Sequence, residues 1–456
     1  MRIHPRQAAY EIIEEALDLY DDLLEGARPR YPFLPPPRRK RVKERGPPAA
    51  AMASRIDSPY VAFRVQAFPE SVIRSMSRVA AQHGAVNLGQ GFPDFDPPRE
   101  LMDAAKKAID DGFNQYAMTW GVPALREALV RKLGSFNKID CKADDHLVVT
   151  CGATEAMMAA LLATCNPGDK VVIFEPFYEN FGPDAIVSGA TPLWVPLHAP
   201  EFQPDAEALQ RAMAQKPKAI IVNTPGNPTG RIFTDATLRL IAELCVKFDV
   251  LAVTDEIYEH MVYDGKHHTS LATLPGMAER TITIGGFSKT YSVTGWRLAY
   301  TCAPKPVTDA IKRVHDFLTV GAAHPLQVAA VTALNLPSSY YTTLRDTYQA
   351  KRDLLLGSLE KAGFRCHKPD SAYYILADWT AVAGRDAFPD DTAFAMWLTK
   401  ECGVTCIPGS SFFHDKAKGA NLVRFAYPKK EATLQEAARR LALVREKSGK
   451  VAAGGR

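Results

Sequence analysis

Nowhere in the sequence does an apolar run reach the length needed to span a bilayer, so no membrane-embedded helix is expected. An excess of one charge is missing too. The 55 Lys+Arg against 51 Asp+Glu leave +4, too weak a field to recruit nucleic acid to the protein as a whole. The eight cysteines are scattered without paired metal spacing. Cys402 and Cys406 have three residues between them and no second pair or histidine cluster, which reads as core thiols rather than zinc ligands. That usage suits a reducing compartment and a cytoplasmic protein. No internal repeat is visible. What remains is ordinary globular chemistry: 46% hydrophobic and 23% charged residues over 456 positions, room for two or three domains.

Residues 1–51 stand apart. Ile12, Ile13, Ala16, Leu17, Tyr20 and Leu24 recur at helical spacing among acids. A Pro-rich stretch and the basic run Arg38-Arg39-Lys40-Arg41-Val42-Lys43 follow. Acids such as Glu11, Glu14, Glu15 and Asp18 argue against an organelle transit peptide. One reading is a docking helix on a basic tether. The plainer one is a leader ahead of a start at Met52.

Beyond that segment, Ser71 to Gln82, Leu101 to Asp110 and Pro123 to Leu133 carry helical patterns. Seven apolar strands then alternate with helices: His146 to Thr150, Lys170 to Phe174, Thr191 to Val195, Ala219 to Asn223, Val250 to Thr254, Thr281 to Ile284 and Leu298 to Thr301. Strands apolar on both faces indicate a mostly parallel α/β sheet covered on both sides. Such sheets bind ligands at strand ends. A long helix, Tyr340 to Ala362, leads into an α+β part. There the pattern predicts strands Tyr373 to Ala377, Val404 to Ile407 and Leu422 to Ala426, and helices Asp391 to Glu401 and Thr433 to Glu446.

Several strand ends carry chemistry. Lys289 follows the Thr281 to Ile284 run, among small residues, with Arg297 eight positions on. A lysine whose pKa is lowered by burial or a cationic neighbour is a good nucleophile and a candidate Schiff-base former. Ser288 and Arg297 can hold a phosphate, Arg through its planar fork. Gly152-Ala153-Thr154 joins a strand to a helix, where free N–H groups favour an anion; Thr154 as an ordinary N-cap is the alternative. Tyr178 is placed to stack on a ring or to fill core. Asn227 sits in the rigid loop Asn223 to Gly230 and can donate to a ring hydroxyl; its bond to Pro228 is a candidate cis peptide. Asp255 closes its strand, where it can hold the proton of a pyridine nitrogen, with Tyr258 donating to the ring oxygen. Arg424 lies within an apolar strand and needs an anion, either a substrate carboxylate or an internal glutamate. A lysine, a phosphate cradle and a carboxylate beneath a ring nitrogen together describe covalently held pyridoxal phosphate (PLP).

In this order, Asn227-Pro228-Thr229-Gly230, Asp255-Glu256-Ile257-Tyr258 and Ser288-Lys289-Thr290 leading to Gly295-Trp296-Arg297 resemble the class I/II aminotransferases of PLP fold type I, over roughly residues 55–445. Leu88-Gly89-Gln90-Gly91-Phe92-Pro93-Asp94 and Asn114-Gln115-Tyr116 look most like the kynurenine, glutamine and methionine branch. The resemblance implies 1–51 as an extension, 52–100 as an arm and part of a small domain, 101–335 as a large PLP-binding domain and 336–456 as a C-terminal small domain. It implies a homodimer in which Tyr116 reaches the phosphate of the neighbouring subunit. Gly91 would touch substrate and Tyr178 would stack on the ring. Lys289, Asp255 and Tyr258 would be catalytic, moving an α-amino group to a 2-oxo acid. Phe92, Tyr116 and Trp120 suggest an apolar or aromatic side-chain pocket. Gly286 departs from the pattern, since many relatives place a phosphate-binding serine there. Cysteine-conjugate β-elimination uses the same core residues. A ligand-sensing transcription regulator would need a winged DNA-binding module, for which one helix in 51 residues is too short.

Overall fold

The computed structural model describes residues 60–454, with side chains to 449. The expectations for residues 1–51 lie outside the described residues. Within the unit Arg55–Arg456, the chain forms β1 (Val86–Asn87), β2 (Leu147–Thr150), β3 (Lys170–Glu175), β4 (Thr191–His198), β5 (Gln203–Pro204), β6 (Ala219–Asn223), β7 (Leu251–Asp255), β8 (Thr281–Gly286) and β9 (Ala299–Cys302). β2 to β9 make one sheet in the order β2-β9-β8-β7-β6-β3-β4-β5. Pairs from β8 through β4 are parallel, and β9 and β5 run antiparallel to their neighbours. The sheet has eight strands rather than the seven expected. The addition is the two-residue β5, containing Pro204, too short and too polar to register as a strand pattern.

The central strands are buried along nearly their whole length, as two-sided helix cover requires. Helices Ala153–Thr164 and Lys305–Thr319 pack together against the sheet. The long helix Ser338–Ala362 ends at Gly363, φ 100°, a left-handed cap that suits glycine.

The later residues form a second sheet from β10 (Arg365–His367), β11 (Tyr374–Asp378), β13 (Ile407–Pro408) and β14 (Leu422–Ala426), antiparallel throughout. β12 (Val404–Thr405) pairs instead with β1. The expected strand Val404 to Ile407 is therefore two short strands in two sheets, parted at Cys406. The expected helix Thr433 to Glu446 is also two, Glu431–Leu441 and Val444–Gly454. Helices His324–Leu334 and Phe181–Val187 escaped the pattern, as did the four-residue helices Ala143–His146 and Thr380–Ala383. Phe181–Val187 contains Gly182 and Pro183, ordinarily turn signals, but Pro183 lies in the first turn, where a missing N–H costs nothing. Among the described residues, no helix is long and apolar enough to cross a membrane.

Candidate active site

The carboxyl ends of β3, β6, β7 and β8 lie along one edge of the sheet, and the segments following them line a cavity of about 370 Å³. β3 leads to Tyr178, β6 to Asn227 and β8 to Ser288 and Lys289, while Asp255 ends β7. Register fixes the depth of the acid: Asn223 pairs with Asp255, and Asp255 with Ile284. The second sheet supplies Tyr374 and Arg424, and the 89–92 loop supplies Gly91.

At one end is an anion cradle. The helix Ala153–Thr164 has Gly152 as N-cap, φ 88°, with no side chain capping its amides. A methyl group on Gly152 would stand 2.4 Å from Arg297 Nη2, so only glycine lets the guanidinium close over the helix start. Thr154 is not the N-cap. It is the second helical residue, exposed and lining the cavity. Ser288 is buried beside it. Arg297 has left-handed φ of 50° and donates Nη1 to the Thr294 carbonyl at 3.1 Å.

Gly286, the departure from the expected serine, has a steric cause. A Cβ there would meet Ile257 Cδ1 at 2.7 Å and Ala299 Cβ at 3.0 Å. Gly286→Ser should therefore add no phosphate donor and lower stability by about 1–3 kcal/mol, read as a lower denaturation midpoint with unchanged cofactor affinity.

At the other end is an uncompensated acid. Asp255 is 8% exposed and, among the described residues, has no ion-pair partner within 4 Å. Among the described residues its carboxylate accepts only the Ile257 N–H, at 3.3 Å. Burial pushes its carboxyl up to about 6. Tyr258 is buried with its hydroxyl 3.0 Å from that of Tyr374. Half-buried Lys289 lies between these ends, its Nζ 3.4 Å from the Gly91 carbonyl. Burial lowers the amine to about 8, with the Asp255 charge opposing and the Arg297 and Arg424 charges assisting.

Asp255 is a buried charge kept at a cost, and the sign can be worked out. Its folded pKa is raised, so the native state holds the extra proton between the ordinary carboxylate value and about 6. Stability of the cofactor-free protein therefore falls as pH rises through that window. Asp255→Asn should remove the fall and raise stability by about 1–3 kcal/mol near neutral pH. Denaturation midpoints of both cofactor-free proteins across pH 4–7 check it; equal slopes would refute it.

Asn227 is buried in the loop after β6, and its bond to Pro228 is cis. Its Oδ1 accepts Arg424 Nη1 at 2.7 Å, which leaves the amide nitrogen on the other side of the group. Arg424 is 1% exposed and donates Nη2 to the Gly89 carbonyl at 2.7 Å. Its Nε has no partner, and no carboxylate lies within ion-pair distance among the described residues. The internal glutamate considered from sequence is not there.

Tyr178 lines the cavity, edge-on to Phe181 at 5.7 Å, and burial raises its hydroxyl. Three expected residues are elsewhere. Tyr116 is 85% exposed, outside the cavity of its own chain. Phe92 lies under Lys429 Nζ at 4.3 Å, and Trp120 under Lys312 Nζ at 5.2 Å. None lines the cavity, so the expected aromatic pocket is not formed by these residues within one chain. Tyr374 and Asp184 were missed. Tyr374 reads as core in an apolar strand. Asp184 lies on the unforeseen helix Phe181–Val187, and its Oδ2 has no hydrogen bond.

Glu256, Glu259 and His268 bring possible metal-ligating atoms within 4.8 Å of one another. Lys132 and Asn137 donate to Glu259, while Thr254 and Ser270 donate to Glu256. Both carboxylates are held by protein donors, and His268 Nε2 lies 2.8 Å from Glu256 Oε2, while His268 Nδ1 has no partner among the described residues.

The cavity thus has an anion cradle at one end, an unpaired acid at the other and a lysine between. The family profile described as aminotransferase class I and II matches residues 83–441, and the chain belongs to that family. A probable N-succinyldiaminopimelate aminotransferase of Mycobacterium tuberculosis is 37% identical over 84% of this chain and 98% of its own. The methionine aminotransferase of Escherichia coli is 36% identical over 81% and 95%, and mouse kynurenine–oxoglutarate transaminase 3 is 36% identical over 82% and 88%. The solved structure of N-succinyldiaminopimelate aminotransferase from M. tuberculosis superposes with a TM-score of 0.81 at 36% identity, covering 84% of this chain and all of that one. The protein is an aminotransferase on the fold type I scaffold.

Proposed function

We propose that the cavity holds pyridoxal 5'-phosphate on Lys289 and transfers the α-amino group of an apolar, aromatic or Gln/Met-like amino acid to a 2-oxo acid. One observation carries this: Lys289, Asp255, Asn227, Tyr258, Arg297 and Arg424 line a single cavity. The residues fit the group. An uncapped helix start with Arg297 and Ser288 complements a phosphate, and an unpaired buried carboxylate complements a protonated ring nitrogen. When bound, the cofactor supplies the electron sink that makes the substrate Cα–H acidic.

The chain's own residues do the rest. Gly152, Ala153 and Thr154 amides, Ser288 and Arg297 anchor the phosphate. Asp255 keeps the ring nitrogen protonated, Asn227 Nδ2 and the Tyr258 hydroxyl donate to the ring oxygen, and Tyr178 covers the ring face. Arg424 grips the α-carboxylate, with Asn227 holding the fork and Gly91 leaving room above it. Lys289 Nζ, freed when the substrate's own amine takes its place on the cofactor, would serve as the base for the Cα proton.

We further propose a homodimer in which Tyr116 serves the neighbouring subunit's phosphate. Its exposure, and its distance from its own cavity, support that role. A stoichiometric amino-donor screen following both oxo acid and ammonia tests the reading. Oxo acid without ammonia is expected; ammonia with pyruvate would replace transamination by β-elimination.

A further inference from the structure

The ring end and the carboxylate end of the cavity are joined by one side chain that the proposed chemistry leaves unused. Tyr374 starts β11, and the antiparallel register sets Leu376 opposite Arg424. Tyr374 is thus the same-face diagonal neighbour of the arginine, within reach of a long side chain. Its ring centroid lies 4.3 Å from Arg424 Cζ. Its hydroxyl lies 3.0 Å from that of Tyr258, the two rings edge to face at 5.9 Å. The position is tightly specified. Tyr374 is 3% exposed, and a Cβ on Gly91 would fall 2.2 Å from its hydroxyl oxygen. The adjacent Tyr373 spends its proton on the Gly91 carbonyl at 2.8 Å.

We propose that Tyr374 is a positioning residue that couples the two ends: its ring steers the Arg424 guanidinium and its hydroxyl orients the Tyr258 proton. The inference rests on the placement of Tyr258 at the ring oxygen given above. A phenol has one proton to give. If Tyr258 donates it to the ring oxygen, its own oxygen accepts one, and the Tyr374 hydroxyl is the group in place to supply it. Arg424, Tyr258, Tyr373, Asp255, Tyr178 and Tyr348 are titratable groups whose charges act on, or are acted on by, Tyr374. A donor chain drains charge from the ring oxygen and loosens the proton it shares with the neighbouring lysine-bound nitrogen. The visible band of the cofactor-loaded protein then titrates at lower pH. The ring contributes separately, as a face on which the buried cation rests.

Two substitutions separate the contributions. In the cofactor-loaded protein, Tyr374→Phe removes only the hydroxyl. It should move the titration of the visible band upward by about half to one pH unit and leave KM for the amino acid at its wild-type value. Tyr374→Leu removes the ring as well. It should give the same spectral shift and also raise KM by about 2- to 30-fold. The Kd of an unreactive carboxylate analogue, read from its perturbation of the band, should follow KM. A Tyr374→Phe band titrating as in wild type, or a Tyr374→Leu KM equal to that of Tyr374→Phe, would overturn the proposal. Tyr258→Phe is the reference. It should shift the band in the same direction and further. If it does not move the band, the placement of Tyr258 has failed and takes the coupling with it; if it does while Tyr374→Phe does not, the coupling alone is wrong.

Discussion

Lys289→Ala should abolish the visible band of the cofactor-loaded protein and reduce turnover by at least about 10³-fold. The argument begins with the amine. Burial and two neighbouring arginines bring it to about 8, so about a tenth is neutral near pH 7, against less than a thousandth of an ordinary lysine. It is therefore a nucleophile without needing a separate base. Among the described residues it donates only to the Gly91 carbonyl, at 3.4 Å, so bond formation gives up one long hydrogen bond. Lys289→Arg provides the control. It keeps a positive charge but cannot be deprotonated, and should be as inactive as the alanine variant. Borohydride treatment of the loaded wild type should fix label at position 289 and nowhere else. Turnover of Lys289→Ala within about tenfold of wild type would remove this residue from the chemistry.

The sheet was legible because its central strands are buried along nearly their whole length. The candidate site was legible where chemistry coincided with a strand end: Asp255 closes the apolar β7, and Asn227 and Lys289 lie just beyond β6 and β8. Tyr374 does the reverse. It continues an apolar strand, and only the pairing of β11 with β14 turns its hydroxyl into part of the site. Asp184 was hidden by a local rule that misled, since Gly182 and Pro183 signal a turn while Pro183 sits harmlessly in a first helical turn. The strand Val404 to Ile407 could not be divided from sequence, because its first half pairs with β1 far back in the chain, Val404 with Val86, while Ile407 pairs with Arg424 of nearby β14. Phe92 and Trp120 show the opposite error. Aromatic identity drew them towards the pocket, yet within this chain each is used as a face for a lysine, Lys429 and Lys312.

Arg424→Ala should lower kcat/KM for α-amino acids by about 10²- to 10³-fold while leaving the visible band intact. A guanidinium that is 1% exposed needs either an acid or a reason to lack one. Here two rings flank it, Tyr374 at 4.3 Å and Phe412 at 4.7 Å. Two neutral oxygens, Asn227 Oδ1 and the Gly89 carbonyl, hold its Nη atoms, and Nε is left without a partner. The arrangement fixes the fork rigidly without neutralising it, which leaves the counter-charge for an incoming carboxylate to supply. The loss should therefore appear mainly in KM, because the grip is made on substrate binding and kept through the reaction. Arg424→Lys should recover part of it, since the point charge survives but the planar fork does not. A primary amine lacking a carboxylate offers the sharpest discrimination: its poor turnover should be indifferent to Arg424→Ala. An unchanged KM for the amino acid, or an equal loss with the carboxylate-free amine, would return Arg424 to a purely structural role and leave its missing counter-ion without an explanation.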